Sequence, residues 1–204
     1  MSDRKRPYRM RKRAELEEQT RLRITESAMA LHEELGPARA SISAIAERAG
    51  VRRSTVYRHF PDEEALFAAC TAHWGAANPL PDPAAWTSIE DPAARTGAAL
   101  SELYAFYGRT EGMFTSLLRD ESLVAPVQRG MAEFQGYLDA IRDTLMRGRG
   151  LRGRAARRTR AAIGHVLAFP TWRSLTREQE LSADDAVALA CALVEAPASR
   201  ARRP

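Results

Sequence analysis

The sequence lacks the features of membrane-spanning, disulfide-stapled and β-rich proteins. No stretch approaches the roughly 20 apolar residues that a membrane-spanning helix needs, so an integral membrane protein is excluded. Only two cysteines occur among the 204 residues, and neither Cys70 nor Cys191 stands in a CxxC or metal-ligand spacing. Two buried free thiols are therefore expected. Valine and isoleucine are sparse and form no alternating run, so no β-sheet is predicted.

Enzyme motifs and targeting segments are also missing. The sequence has no phosphate-binding loop, no nucleophile elbow and no Cys–His pair with supporting context, so we expect no catalytic activity. His32, His73 and His165 stand in helical stretches without other ligand-type residues, and neither a metal nor another cofactor is expected. The arginine-rich N-terminus carries no apolar segment of a signal peptide. A soluble, cytoplasmic protein is therefore expected.

The residues that are present favour an all-α fold of about nine helices. Apolar residues make up 45% of the chain and charged residues 28%, which is typical of a globular protein. Alanine, leucine, arginine and glutamate are abundant, and all four favour helices. Apolar residues at helical spacing, ended by glycine and proline, predict helices over 13–35, 41–49, 52–60, 61–74, 92–109, 113–119, 123–147, 154–174 and 183–195.

The composition divides the chain into three parts. Residues 1–12 are polar and basic and are predicted to form a flexible arm. Residues 13–74 are predicted to form one helical domain and residues 75–204 a second one. The segment 75–92 holds four prolines and is the clearest linker-like stretch.

The positive charge of the chain is concentrated near its N-terminus. Residues 1–60 hold 14 Lys and Arg against 8 Asp and Glu, whereas residues 61–204 hold 17 against 18. This asymmetry indicates an anionic partner, either nucleic acid or a membrane surface. The arm lacks the apolar face that membrane binding requires, so it is either a DNA contact or a solubilising tail. Seven arginines between Arg147 and Arg160 indicate a solvated turn or a second anionic contact.

The segment SISAIAERAGVRRSTVYRHF, residues 41–60, has the pattern of a helix-turn-helix. Ser41 is a good N-cap for the first helix, and Gly50 suits the tight turn because glycine tolerates positive φ. The inward positions are small or apolar, as two crossing helices require: Ala46, Ala49, Val51 and Val56. The outward face of the second helix mixes cations and hydroxyls, which suit phosphates and base edges: Arg52, Arg53, Ser54, Thr55, Tyr57, Arg58 and His59.

The stretch from about Arg21 to Trp74 resembles the N-terminal domain of the TetR family of transcriptional regulators. The resemblance rests on IAERAGV followed by RRSTVYRHFPDEEALFAA, in which AGV is paired with T-x-Y-x-H-F and then E-A-L. The later stretch HVLAFPTWRSL, followed by a capped final helix, is similar to C-terminal domains of the family.

The resemblance implies which residues face DNA. Those on the second helix are Arg53, Ser54, Thr55, Tyr57 and His59, while Ser41 and Ser43 would contact DNA from the preceding helix. For Tyr57 and His59, a place in the domain core is the alternative. The chain departs from the family pattern at Arg52, where a small hydroxyl residue often caps the helix, and at Glu63, where a lysine often approaches phosphate. No phosphate contact is therefore expected at Glu63.

The resemblance further implies a ligand-responsive homodimer that acts on a palindromic operator, more often as a repressor. Helices 154–174 and 183–195 would pack against their twofold mates, and an unknown small-molecule effector would bind in the C-terminal domain. Aromatic residues there are either core or cavity lining, and the candidates for the lining are Trp86, Phe106, Tyr107, Phe134, Tyr137, Phe169 and Trp172. A nucleoid-like DNA binder without an effector is the alternative function.

Overall fold

The computed structural model describes the backbone of residues 5–201 and the surroundings of side chains 10–197. Within these residues the chain is all-helical, without a β-strand, as predicted. The nine α-helices are α1 Lys5–Leu35, α2 Ile42–Arg48, α3 Arg53–His59, α4 Glu63–Ala77, α5 Pro92–Asp120, α6 Ala125–Met146, α7 Gly153–Leu167, α8 Phe169–Arg173 and α9 Ala183–Ala201. Among the residues described, no helix is both long enough and apolar enough to span a bilayer.

Helix α1 begins at Lys5 rather than at the predicted Arg13, so residues 5–12 of the predicted arm are helical. Residues 1–4 of the predicted arm lie outside the described residues. Ion pairs at i,i+4 spacing support the extension, since Arg11 and Arg13 bind Glu15 and Glu17 at 3.0 and 3.3 Å. Pro7 is tolerated because the first backbone N–H groups of a helix have no intrahelical acceptor.

Helix α5 is continuous over 29 residues, so the predicted interruption at Gly112 is wrong. A glycine inside a helix costs about 1 kcal/mol relative to alanine. The next two side chains, Met113 and Phe114, are buried. Burial of two large apolar side chains is worth more than the cost of one glycine, so tertiary packing carries the helix through this position.

The predicted helix 154–174 is divided in two. Helix α7 ends at Leu167, Ala168 is extended with ψ 134°, and Pro170 lies in the first turn of α8. A continuous helix would need the N–H of residue 170 to bind the carbonyl of Val166, and proline has none. The Tyr104 hydroxyl donates to that carbonyl instead, at 2.9 Å, and the Tyr107 hydroxyl donates to the carbonyl of Leu167 at 2.7 Å.

The last helix begins where the sequence predicted it and ends later. The Ser182 hydroxyl accepts from the backbone N–H of Asp185 at 3.1 Å, which caps α9. The helix continues to Ala201 rather than ending at residue 195. Pro197 lies inside it and has no backbone N–H to donate to the carbonyl of Leu193, so fewer hydrogen bonds hold the last turns.

The chain forms two compact units. The first runs to Ala77 and includes Thr115–Gln128, and the second comprises Asn78–Phe114 and the residues from Arg129 onward. In the first unit, the apolar faces of α1, α2, α3 and α4 share one core. The segment Thr115–Gln128 is held to the end of α1 by Asp120, whose carboxylate accepts from the Ala38 backbone N–H at 3.0 Å.

The second unit contains an arginine that the sequence placed in a solvated turn. Arg149 is only 8% exposed, so for this member of the 147–160 run that interpretation is wrong. Its guanidinium donates to the Glu195 carboxylate and to the Thr96 hydroxyl, both at 2.6 Å. Arg149 precedes α7, so the bond to Glu195 connects this segment to the later part of α9, and the bond to Thr96 connects it to the first turns of α5. The remaining arginines of the run are exposed.

Candidate nucleic-acid interface

Helices α2 and α3 form the helix-turn-helix that the sequence predicted. The N–H of Ala44 donates to the Ser41 hydroxyl at 3.2 Å and so caps α2. The turn passes through Gly50, whose φ of +64° lies in the left-handed region that favours glycine. Ala46, Ala49 and Val56 are buried at the crossing of the two helices. Small side chains at this crossing allow the two helices to pack closely.

The outward face of α3 is polar and exposed. Arg52 is the N-cap residue and makes no side-chain cap bond, in agreement with the absence of a small hydroxyl there. Tyr57 is 44% exposed, which places its ring outside the core of the domain. The exposed members of the predicted DNA-binding set are Ser41, Ser43, Arg52, Arg53, Ser54, Tyr57 and Arg58, and the half-buried ones are Thr55 and His59.

His59 lies in a cleft between the end of α3 and the first half of α1. The cleft has a volume of about 430 Å³ and is lined by Ala14, Glu17, Glu18, Arg21, Arg58 and His59. The Nε2 atom of His59 is buried and has no hydrogen-bond partner among the residues that the structure describes. Burial and the positive charges of Arg58 and Arg21 lower the pKa of His59, so its imidazole is mostly neutral at neutral pH.

Two residues of α1 that the sequence did not single out contact the helix-turn-helix. Arg21 donates from Nη1 to the backbone carbonyl of His59 at 2.8 Å. The Glu34 carboxylate accepts hydrogen bonds from both terminal guanidinium nitrogens of Arg48 on α2, at 2.7 and 2.8 Å. Arg21 lies three residues before Ile24, on the face of α1 that carries the core. The sequence marks Arg21 only as a cation one helical turn before the apolar face of α1.

Glu63 lies in the first turn of α4, close to the helix-turn-helix. It is exposed, as is Asp62, whose carboxylate accepts from the Ala65 backbone N–H at 2.7 Å. Acidic residues are favourable at the N-terminus of a helix because the backbone N–H groups there carry partial positive charge. The acid at this position therefore fits the start of α4 and does not provide a phosphate-binding cation.

Most of the aromatic residues predicted to line a ligand cavity lie together in the second unit. The ring of Tyr107 is central, with six neighbouring rings whose centroids lie 5.3 to 6.5 Å away. These rings belong to Tyr104, Phe106, Phe114, Phe134, Phe169 and Trp172. Two of them, Tyr104 and Phe114, were not among the predicted residues.

The other two predicted aromatic residues have polar anchors of their own. Tyr137 is stacked obliquely on Phe134 and donates its hydroxyl to the Pro81 carbonyl at 2.7 Å. Trp86 is buried on a short 3₁₀ turn, Pro83–Trp86, and its indole N–H donates to Glu102 at 3.0 Å. Burial raises the pKa of Tyr107 and of Tyr137, so both hydroxyls remain protonated donors at neutral pH.

A compact helical unit that presents a helix-turn-helix, joined to a second helical unit, defines a class of regulatory DNA-binding proteins. Residues 24–70 match the sequence model of the family described as bacterial regulatory proteins, tetR family. The helix-turn-helix unit of this chain is therefore similar in sequence to the N-terminal domains of that family. None of the curated proteins compared with the chain matches it.

Solved structures share the fold over most of the chain. A TetR-like transcriptional regulator from Rhodococcus sp. RHA1 is 19% identical, with a TM-score of 0.59, over 90% of this chain and 97% of that one. A mutant form of the HlyIIR protein is 19% identical, with a TM-score of 0.65, over 87% and 97% of the two chains. The chain therefore has the fold of a TetR-family transcriptional regulator.

Proposed function

We propose that this chain is a homodimeric, ligand-responsive transcriptional regulator that reads a palindromic operator through α3 and represses transcription. The observation that carries the proposal is the exposed outward face of α3, which combines Arg52, Arg53, Ser54 and Tyr57 on a helix of a helix-turn-helix. Such a helix enters the major groove, where arginine reads guanine with two hydrogen bonds and hydroxyl groups bind phosphate. The proposed function is non-enzymatic. Because an operator-binding protein acts on chromosomal DNA, we propose a cytoplasmic location.

Arg53→Ala is expected to weaken binding to a specific duplex by about 1–3 kcal/mol, because one base-reading guanidinium is lost. The duplex is selected from a random pool with the wild-type protein, and affinity is measured by fluorescence anisotropy at two salt concentrations. Salt must be controlled because release of counterions from phosphate dominates affinity.

The matched control is Arg147→Ala, which removes an exposed arginine between α6 and α7. Its affinity for the selected duplex should stay at the wild-type level. Equal binding of the wild-type protein to the selected and scrambled duplexes would instead identify a nucleoid-like binder without sequence preference. Absence of any binding at low salt would contradict the proposed function.

The dimer is proposed to form through the outer faces of α7 and α9, which pack on each other within the second unit. On α9, Leu189 and Leu193 are each 43% exposed and follow one helical face. Exposed acidic residues lie at the start of this helix, at Asp184 and Asp185. The exposed side of α7 carries arginines instead, so a twofold mate would place basic α7 against the acidic start of α9.

The double substitution Leu189→Glu with Leu193→Glu is expected to convert the dimer to a monomer, since it places two charges in the apolar centre of the interface. Light scattering after size-exclusion chromatography measures the mass directly. The control is Leu123→Glu, which changes a leucine that is 71% exposed in the first unit. A mass equal to that of the wild-type dimer in the double variant would place the interface elsewhere.

The proposed effector site is the aromatic cluster around Tyr107. Small-molecule sites are typically lined by apolar and aromatic side chains, and rings of this kind would suit a flat, apolar molecule. In this proposal the dimer has two conformations that differ in their affinity for the operator. A ligand that binds one conformation more tightly would change operator affinity by that difference in ligand binding, typically 1–3 kcal/mol. We propose a repressor role because a dimer bound to an operator usually blocks transcription.

A further inference from the structure

Arg21 connects α1 to the C-terminal end of α3 through two contacts. Its Nη1 donates to the carbonyl of His59, the last residue of α3, at 2.8 Å. Its guanidinium carbon lies 4.3 Å from the centroid of the Phe60 ring. Phe60 is 1% exposed and belongs to the core of the first unit. The side chain therefore binds both the end of α3 and the residue that anchors this end.

Helix α3 depends on such contacts because it has only seven residues. Isolated helices this short are not stable in water, so packing must fix the orientation of α3. Its N-terminal end has no side-chain cap at Arg52. At its C-terminal end the carbonyl of His59 has no donor within the helix, and a cation there is favourable for the helix dipole. Arg21 supplies both the donor and the cation.

The cleft around Arg21 is not suited to a phosphate. Glu17 and Glu18 line it together with Arg21, Arg58 and His59. Two carboxylates repel a phosphate that approaches Arg21 through this cleft. The cation therefore has a protein acceptor, the His59 carbonyl, in surroundings that disfavour a DNA acceptor.

We propose that Arg21 is a positioning residue, which fixes the end of α3 on α1 and thereby sets sequence discrimination without contacting DNA. The inference rests on the proposed function, since it concerns how α3 reads DNA. It separates Arg21 from the exposed residues of α3: their loss removes a contact with the operator, whereas loss of Arg21 leaves every contacting side chain in place on a loosened helix.

The test compares Arg21→Ala with Arg23→Ala, which removes an exposed arginine from the same helix two residues away. Affinities for the selected and the scrambled duplex are measured over a range of salt. For Arg21→Ala we expect about a 10-fold loss for the selected duplex, the order expected for one hydrogen bond from a charged donor. Affinity for the scrambled duplex should change by less than about 2-fold, and the salt slope should equal that of the wild type.

A direct phosphate contact gives a different result. It would weaken both duplexes equally and reduce the salt slope by about 0.9, which would overturn the positioning role. Equal affinities of Arg21→Ala and Arg23→Ala for the selected duplex would also overturn it, with operator binding itself intact. If the wild type does not distinguish the selected from the scrambled duplex, it is the proposed function that fails.

A second measurement requires no DNA. Amide hydrogen exchange of residues 53–60 should be faster in Arg21→Ala than in Arg23→Ala, because α3 opens more often when its end is released. Circular dichroism should show that both variants keep their helices. Unchanged exchange in α3 would overturn the proposal whatever the affinity for DNA.

Discussion

Replacing Gly36 by alanine is expected to lower the free energy of unfolding by about 2 to 6 kcal/mol. Gly36 follows α1 with φ +89° and ψ 153°, a region that residues with a side chain essentially do not occupy. Forcing alanine into this conformation accounts for about 1–3 kcal/mol. The remainder comes from the close approach of the end of α5.

The end of α5 leaves no room for a side chain at Gly36. A Cβ atom there would overlap Nη2 of Arg119 and Oδ2 of Asp120. Asp120 is 4% exposed, and the same Oδ2 accepts from the Ala38 N–H. Arg119 donates to the Leu35 carbonyl at 2.8 Å. Displacing the two side chains breaks the bond from the Ala38 N–H to the buried Asp120 carboxylate, which costs about 1–3 kcal/mol.

Urea denaturation followed by circular dichroism measures this loss, and Gly50→Ala is the matched control. Gly50 also has a positive φ, +64°, but among the described residues nothing beyond its own chain neighbours lies within 4 Å of the position a Cβ would take. Gly50→Ala should therefore cost only the backbone strain, about 1–2 kcal/mol. Equal losses in the two variants would show that the contact with α5 contributes nothing.

The helix-turn-helix could be predicted because its determinants are local in sequence. Ser41 caps α2 through the N–H of Ala44 three residues later, and Gly50 occupies the turn between two short apolar patterns. The spacing of Ala46 and Val56 is enough to predict which faces meet. Each of these features is decided by residues within about two helical turns, and the sequence displays them side by side.

The contacts that hold this motif in place were not predictable in the same way. Arg21 binds the carbonyl of a residue 38 positions later, and Asp120 binds the N–H of a residue 82 positions earlier. A carbonyl acceptor leaves no mark in the sequence, because every residue has one. The glycine at position 36 was readable as the end of a helix, but its partner on α5 was not.

The same limit explains two of the errors in the second half of the chain. Gly112 suggested that a helix is interrupted there, but α5 continues through it because the burial of Phe114 outweighs the cost of the glycine. The sequence predicts one helix over 154–174 that includes Pro170, whereas the observed helix ends at Leu167. The carbonyls at that break have other donors, the hydroxyls of Tyr104 and Tyr107, which lie about 60 residues earlier in the chain. Propensity alone does not decide between a kink and a break.

Tyr107→Ala is expected to destabilise the second unit by about 3–5 kcal/mol, the range for removing a large buried aromatic side chain. The ring is fully buried and contacts aromatic rings on α5, α6 and α8, so its loss opens a cavity that the surrounding helices only partly fill. Urea unfolding followed by tryptophan fluorescence reports on the site, because the centroid of the Trp172 ring lies 5.8 Å from that of Tyr107.

Tyr107→Phe separates the hydroxyl from the ring. It keeps the aromatic contacts but leaves the buried Leu167 carbonyl without its donor, which should cost about 1–3 kcal/mol. The control is Tyr137→Phe, whose hydroxyl binds the Pro81 carbonyl from a half-buried position that water can reach, so a smaller loss is expected. If the Phe variants lose equal stability, the hydroxyl of Tyr107 does not support the α7–α8 break. If Tyr107→Phe loses more, the residue at the centre of the proposed effector site also holds the end of α7.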